Sequence, residues 1–197
     1  MKTALGKGFV RSLLLLSPLV LAGCLTSRVP EVACWNIEYT ADAATAAKAD
    51  DARLGIVRVS QVVVRAPYAA KGIAVLRANG TVAFDPYNEY AAGPAALLKG
   101  VVSDAMVASG LFKAVVSESS SVKASLLAEV TVTRLAIDCR EEGVRRASAE
   151  LLLQLVDGRE ISAAVKGAGA ADAADGNYGA ALSRAVTDAL AAALGQL

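Results

Sequence analysis

The spacing of hydrophobic and polar positions changes several times along this chain, and each change marks an element. Over 54–64 the β-branched residues Ile56, Val57, Val59, Val62, Val63 and Val64 crowd together ahead of Pro67, which predicts a long strand. Residues 73–77 and 81–84 flank Asn79-Gly80, a pair that supplies the positive φ angles of a tight hairpin. Asp85-Pro86-Tyr87-Asn88 then reads as a turn. Pro94 suits the first turn of a helix, where its missing N–H costs nothing. Leu97, Leu98, Val101, Val102, Ala105 and Met106 follow at helical spacing, and Ser109-Gly110 closes the run.

Strands are predicted next over 112–116 and 122–137, separated by a polar loop at 117–121. Residues 147–156 set Leu151, Leu153 and Leu155 against Glu150 and Gln154, and Asp157-Gly158 turns the chain back through 159–165. Small residues over 167–176 predict a loop, and Asn177 caps a last helix. Tyr178, Leu182, Ala185, Val186, Ala189, Leu190, Ala193 and Leu194 share one face of that helix. The order of elements predicts an α+β domain over 53–197, with a largely antiparallel sheet and two main helices packed on one side.

The N-terminus follows a different pattern. Lys2, Lys7 and Arg11 precede an apolar run over 13–21, which is short for a bilayer span and ends at Leu21-Ala22-Gly23-Cys24. This is the pattern of a bacterial lipoprotein box, so 1–23 is expected to be a removed signal peptide and Cys24 the site of lipidation. An ordinary secretory signal ending near a cysteine is the plainer alternative. Acyl chains at ~0.8 kcal/mol per buried CH₂ would then hold the protein on a membrane. Residues 24–52 are expected to be a lipidated tether, with a short strand over 35–39 and a linker rich in Ala, Asp and Thr after it.

Removing 1–23 leaves 174 residues, enough for one domain with its own core. Three of the 20 basic residues and none of the 19 acidic ones lie in the removed piece, so the remaining net charge is −2, which argues against a nucleic-acid partner. Cys34 and Cys139 are left as a candidate disulfide pair in an oxidising compartment, with two separate thiols as the alternative.

Catalytic chemistry is hard to find. The chain contains no histidine, which removes the commonest general base and most zinc sites. Gly167 and Gly169 lack the Lys-Ser/Thr of a phosphate-binding loop. Asp138, Glu141 and Glu142 sit among Arg140, Arg145 and Arg146, as expected of a solvated turn between strands. The expectation is a non-enzyme without metal or cofactor. Phe84, Tyr87 and Tyr90 are either packing for the hairpin or a contact patch for a partner, since tyrosine offers apolar area with a polar tip. The last helix carries only Arg184 and Asp188 as charges, which leaves room for contact with another subunit of a homo-oligomer.

Val75-Leu76-Arg77-Ala78-Asn79-Gly80, Phe84-Asp85-Pro86-Tyr87-Asn88-Glu89-Tyr90-Ala91, and the helix from Pro94 to Ala108-Ser109-Gly110-Leu111-Phe112 occur in that order after the lipoprotein box. In this the chain resembles the ABC-type transport auxiliary lipoproteins, the PqiC-like components of MCE transport systems. The resemblance implies an outer-membrane lipoprotein facing the periplasm. It also implies an MCE-domain protein and an inner-membrane ABC transporter as partners in moving lipid between membranes. Leu25 after the lipidated cysteine is compatible with release to the outer membrane. The role implied is docking of the periplasmic conduit, with Phe84, Tyr87 and Tyr90 as the docking patch. The alternatives are a lipoprotein that itself binds lipid or another apolar ligand, and a structural or assembly lipoprotein of the envelope.

Overall fold

In a computed structural model of the chain, residues 31–40 and 53–197 are described. The signal peptide expected over 1–23 and Cys24 lie outside them, and so does most of the 24–52 segment. Val32–Leu197 forms one compact unit, so the fold begins well inside the stretch expected to be tether.

The described residues form β1 (Ala33–Trp35), β2 (Leu54–Val64), β3 (Gly72–Arg77), β4 (Val82–Tyr90), α1 (Pro94–Ser109) and β5 (Phe112–Val116), followed by β6 (Leu126–Cys139), β7 (Arg146–Asp157), β8 (Glu160–Asp172) and α2 (Tyr178–Leu194). All eight strands belong to one sheet, and the fold is α+β. Strand β6 organises it. Along one edge β6 pairs antiparallel with β7, which pairs in turn with β8. Along its other edge it takes two strands end to end, β2 opposite Leu126 to Val132 and β3 opposite Ile137 to Cys139, both parallel. β5 continues from β2, and β4 then β1 continue from β3. The sheet is therefore mixed. Its two longest ladders are antiparallel, while four of its seven strand pairings are parallel.

Alternation places the core. Ala128, Val130, Val132, Leu135 and Ile137 of β6 stand opposite Leu155, Leu153, Leu151, Ala149 and Ala147 of β7, and all ten are buried. Both helices join this core, through Leu98, Val101, Val102, Ala105 and Met106 of α1 and the whole expected face of α2. The intervening residues, such as Leu127, Glu129 and Thr131, stay partly exposed, as expected for a sheet covered on one face.

The long strand at 54–64, the helix start at Pro94 and the strand at 112–116 stand where the pattern placed them. In the hairpin, Gly80 has φ 79°, and Asn79 Oδ1 accepts from Thr81 N at 3.1 Å. Asn177 Oδ1 accepts from Ala180 N at 3.1 Å and caps α2.

Four expectations need correction. The short strand lies at Ala33–Trp35 rather than 35–39. β6 begins at Leu126 rather than residue 122, and Ser125 just before it bonds through both its N and its Oγ to Ile56 O. The turn expected at 85–88 is instead part of β4. The loop expected over 167–176 begins only after Asp172, since β8 runs through the small residues. They are small because α2 lies against them. A Cβ at Gly167 would stand 1.8 Å from Ala189 O, and one at Gly169 would stand 2.1 Å from Ala185 O. Both glycines pair with inward-facing residues of β7, Leu151 and Ala149. The low charge of α2 also has a local cause. Its Ser183 and Thr187 hydroxyls accept from Glu38 N and Thr40 N, so the segment after β1 lies along this helix and buries Ile37.

Candidate functional site: an aromatic bulge on strand β4

Between Ala74↔Phe84 and Gly72↔Glu89, one residue of β3 is matched by four of β4. The surplus is a bulge at Asp85, Pro86 and Tyr87, where proline removes a ladder donor and aspartate replaces the ladder with local bonds. Asp85 Oδ1 accepts from Tyr87 N and from Asn88 Nδ2, each at 2.9 Å. Asn88 Oδ1 accepts from Trp35 Nε1 at 2.7 Å. Trp35 in turn closes over the start of α2, where a Cβ on Gly179 would meet its ring at 2.7 Å. A continuous chain of contacts, Asp85 to Asn88 to Trp35 to Gly179, thus ties the bulge to the last helix.

The bulge sorts the three aromatic residues. Phe84 is 48 % exposed and Tyr87 51 % exposed, but Tyr90 is 1 % exposed and lies in the core. Tyr90 is therefore removed from the candidate docking patch. Ending the bulge restores the pleat, and the restored alternation turns Tyr90 inward. Burial pushes its phenol pKa upward, and among the described residues its hydroxyl has no hydrogen-bond partner. Tyr90→Phe should consequently leave stability unchanged or raise it by up to ~1 kcal/mol, since it removes an unmet polar group from the core. A chemical denaturation midpoint clearly lower than wild type would contradict that environment.

Beside the bulge, Lys71 Nζ lies 2.6 Å from Glu89 Oε1. Cys34 Sγ donates to the same oxygen at 3.4 Å. The lysine bond holds Glu89 below the usual carboxylate range, and the bond to Glu89 raises the Cys34 thiol. A raised pKa keeps that sulfur protonated and weakly nucleophilic.

Cys34 and Cys139 are not joined, which corrects the disulfide expectation. Cys34 pairs with Glu89 in β4, Cys139 pairs with Arg77 in β3, and β4 and β3 both lie between β1 and β6. Three strand spacings separate the cysteines by about 14 Å across the sheet, twice the reach of a disulfide. Spacing along the sequence carried no information about that.

At the β6–β7 turn, Arg140 grips Asp138 with Nε–Oδ1 at 2.9 Å and Nη2–Oδ2 at 2.6 Å, and this lowers the aspartate pKa. Such a pair holds an exposed turn and leaves its carboxylate a poor proton carrier at neutral pH. Among the described residues, no group of three or more His, Cys, Asp or Glu is placed to hold a metal ion, and no helix is long and apolar enough to cross a membrane.

A mixed sheet covered on one face by two helices, with an aromatic bulge near its edge, defines a fold class rather than a reaction. The comparisons agree at that level. No family model and no curated protein matches the chain. Among solved structures it is similar to protein XCC0632 from Xanthomonas campestris, assigned to family model DUF330, with a TM-score of 0.60 and 16 % identity over 84 % of this chain and 96 % of that one. An uncharacterized protein matches with a TM-score of 0.53 and 16 % identity, covering 73 % of this chain and 91 % of that one. PelC from Paraburkholderia phytofirmans, described as a dodecamer, gives a TM-score of 0.39 and 8 % identity over 71 % of this chain and 87 % of that one. The chain thus shares the fold of a DUF330 protein.

Sequence reasoning singled out Phe84 and Tyr87 but missed Trp35 and Asn88 as the residues that hold them. The signal lay in plain view, as a lone tryptophan followed by asparagine, but nothing local to it indicated a parallel partner more than fifty residues away.

Proposed function

We propose that this protein is a lipid-anchored, non-catalytic docking component of an ABC/MCE-type system that moves lipid between membranes. It would sit at the periplasmic face of the outer membrane and receive the end of a conduit formed by an MCE-domain protein. The observation that carries the reading is the display of Phe84 and Tyr87. Two half-exposed aromatic rings stand on a bulge fixed by its own hydrogen bonds, so little ordering is needed when a partner arrives. The fold shared with a DUF330 protein and the family-like order of motifs are consistent with it. The lipoprotein box supplies the anchor.

Crosslinking in the native envelope tests the proposal, followed by identification of what is trapped. An MCE-domain protein should be recovered with the wild type. Phe84→Ala with Tyr87→Ala should lower recovery by about tenfold or more, because exposed aromatic anchors each contribute on the order of 1–2 kcal/mol. Tyr90→Phe should not change it. Failure to recover any MCE-domain protein would refute the function, and undiminished recovery with the double variant would refute the docking patch alone.

A further inference from the structure

The C-terminal ends of the two helices enclose a groove of about 250 Å3, at the opposite end of α2 from the bulge. Gly179 and Leu194 are separated by fifteen helical steps, about 22 Å. The groove exists because the residues there are small. Ala105 and Ala108 on α1 face Ala191 on α2, with Leu111 and Leu194 completing an apolar floor. Ser109 also lines it, but its Oγ already donates to Met106 O at 2.7 Å and accepts from Leu111 N at 3.3 Å. It therefore makes no further polar demand on an occupant.

Two polar groups mark the rim. Among the described residues that line the groove, Arg53 is the only charged one, and it is exposed. Tyr39 is partly buried, which raises its phenol pKa and keeps it a neutral hydrogen-bond donor. An apolar trough with one cation and one hydroxyl donor at its rim complements a single aliphatic chain ending in an anion. Its volume lies just below the roughly 300–1,000 Å3 of pockets for drug-sized molecules, which favours a narrow chain over a bulky ring system.

We infer that the groove between the C-terminal ends of α1 and α2 binds one fatty-acid chain, with its carboxylate at Arg53 and its methylenes against Ala105, Ala108, Leu111 and Leu194. The site would give the chain lipid-handling chemistry of its own, and it stands whether or not the docking reading holds.

The test uses the full chain in phosphatidylcholine vesicles with a photoactivatable laurate probe. Crosslinked peptides should map to 105–111 and 191–195. Ala108→Leu with Ala191→Leu fills the groove with residues that favour helix, and should reduce labelling about tenfold, the cost of expelling two or so methylenes at ~0.8 kcal/mol each. Arg53→Gln should weaken laurate labelling by up to about fivefold, the worth of an exposed charge pair, while leaving a dodecanol probe unaffected. Three results would overturn the inference: labelling spread over the sheet surface, labelling unchanged by the filled groove, or labelling that appears only after Cys24→Ser. The last would mean that the protein's own anchor occupies the groove. Co-recovery of an MCE-domain protein reads out separately, so the two proposals fail independently.

Discussion

Gly169→Ala should cost the protein on the order of 3–5 kcal/mol, enough to unfold a domain of ordinary stability. The new methyl group would stand 2.1 Å from Ala185 O, 2.6 Å from Ala189 N and 2.8 Å from the Asp188 Cβ. Two of these three are backbone atoms of α2, so no rotamer change relieves the clash and the whole helix must lift from β8. Gly167→Ala should behave in the same way, with Ala189 O only 1.8 Å from the added carbon. Lifting α2 exposes Leu182, Val186, Leu190 and Leu194, all buried residues of one core. Urea denaturation followed by tryptophan fluorescence suits the measurement, because Trp35 is the single tryptophan and covers the start of α2. Gly93→Ala is the control, since a Cβ there meets nothing within 4 Å, and its midpoint should barely move. A midpoint for Gly169→Ala equal to that of the control would show that the helix does not approach β8 so closely.

Cys24→Ser should release the protein from the membrane almost completely. In the proposed function, lipid on Cys24 supplies the membrane attachment. One acyl chain binds membrane only marginally, whereas two or more make retention effectively stable. Losing all of them is therefore an all-or-none change rather than a graded one. Fractionation of envelopes, with the protein followed by immunoblot, should move it from the membrane to the soluble fraction. Retention at the wild-type level would overturn the lipid anchor and, with it, the placement of the docking face.

Where local pattern and tertiary packing ask for the same thing, the sequence was easy to read. Leu54 to Val64, the Asn79-Gly80 hairpin, the helix entered at Pro94 and the capped face of α2 all belong to this kind. Expectations failed where a distant partner changed the meaning of a residue. Gly167 and Gly169 carry loop composition, yet they lie in a strand because α2 needs their empty Cβ positions. Pro86 and Asp85 carry turn chemistry, and they do bend the chain, but as a bulge inside β4. Tyr90 matched Tyr87 in composition and lies only three positions away. A strand's period of two sets those rings on opposite faces, but residues 85–88 read as a turn, so that period did not suggest itself. The fatty-acid groove left a still fainter trace, because alanines that open a gap look like alanines that favour a helix.

Strand β6 has a consequence for how the chain reaches this fold. β2 can pair with β5 earlier, but β2 and β3 share one edge of β6, so their two groups of strands are not joined until 126–139 is present. The chain up to β5 can form its hairpin, α1 and the β2–β5 pair but no joined sheet. Pairings such as Val57 with Leu126 span about seventy residues, and contacts so far apart form late and slowly. A protein emerging from its N-terminus would therefore hold two unjoined groups of strands until more than half of it had passed. Completion of the sheet is thus delayed by topology alone, a property suited to the export that the proposed function requires.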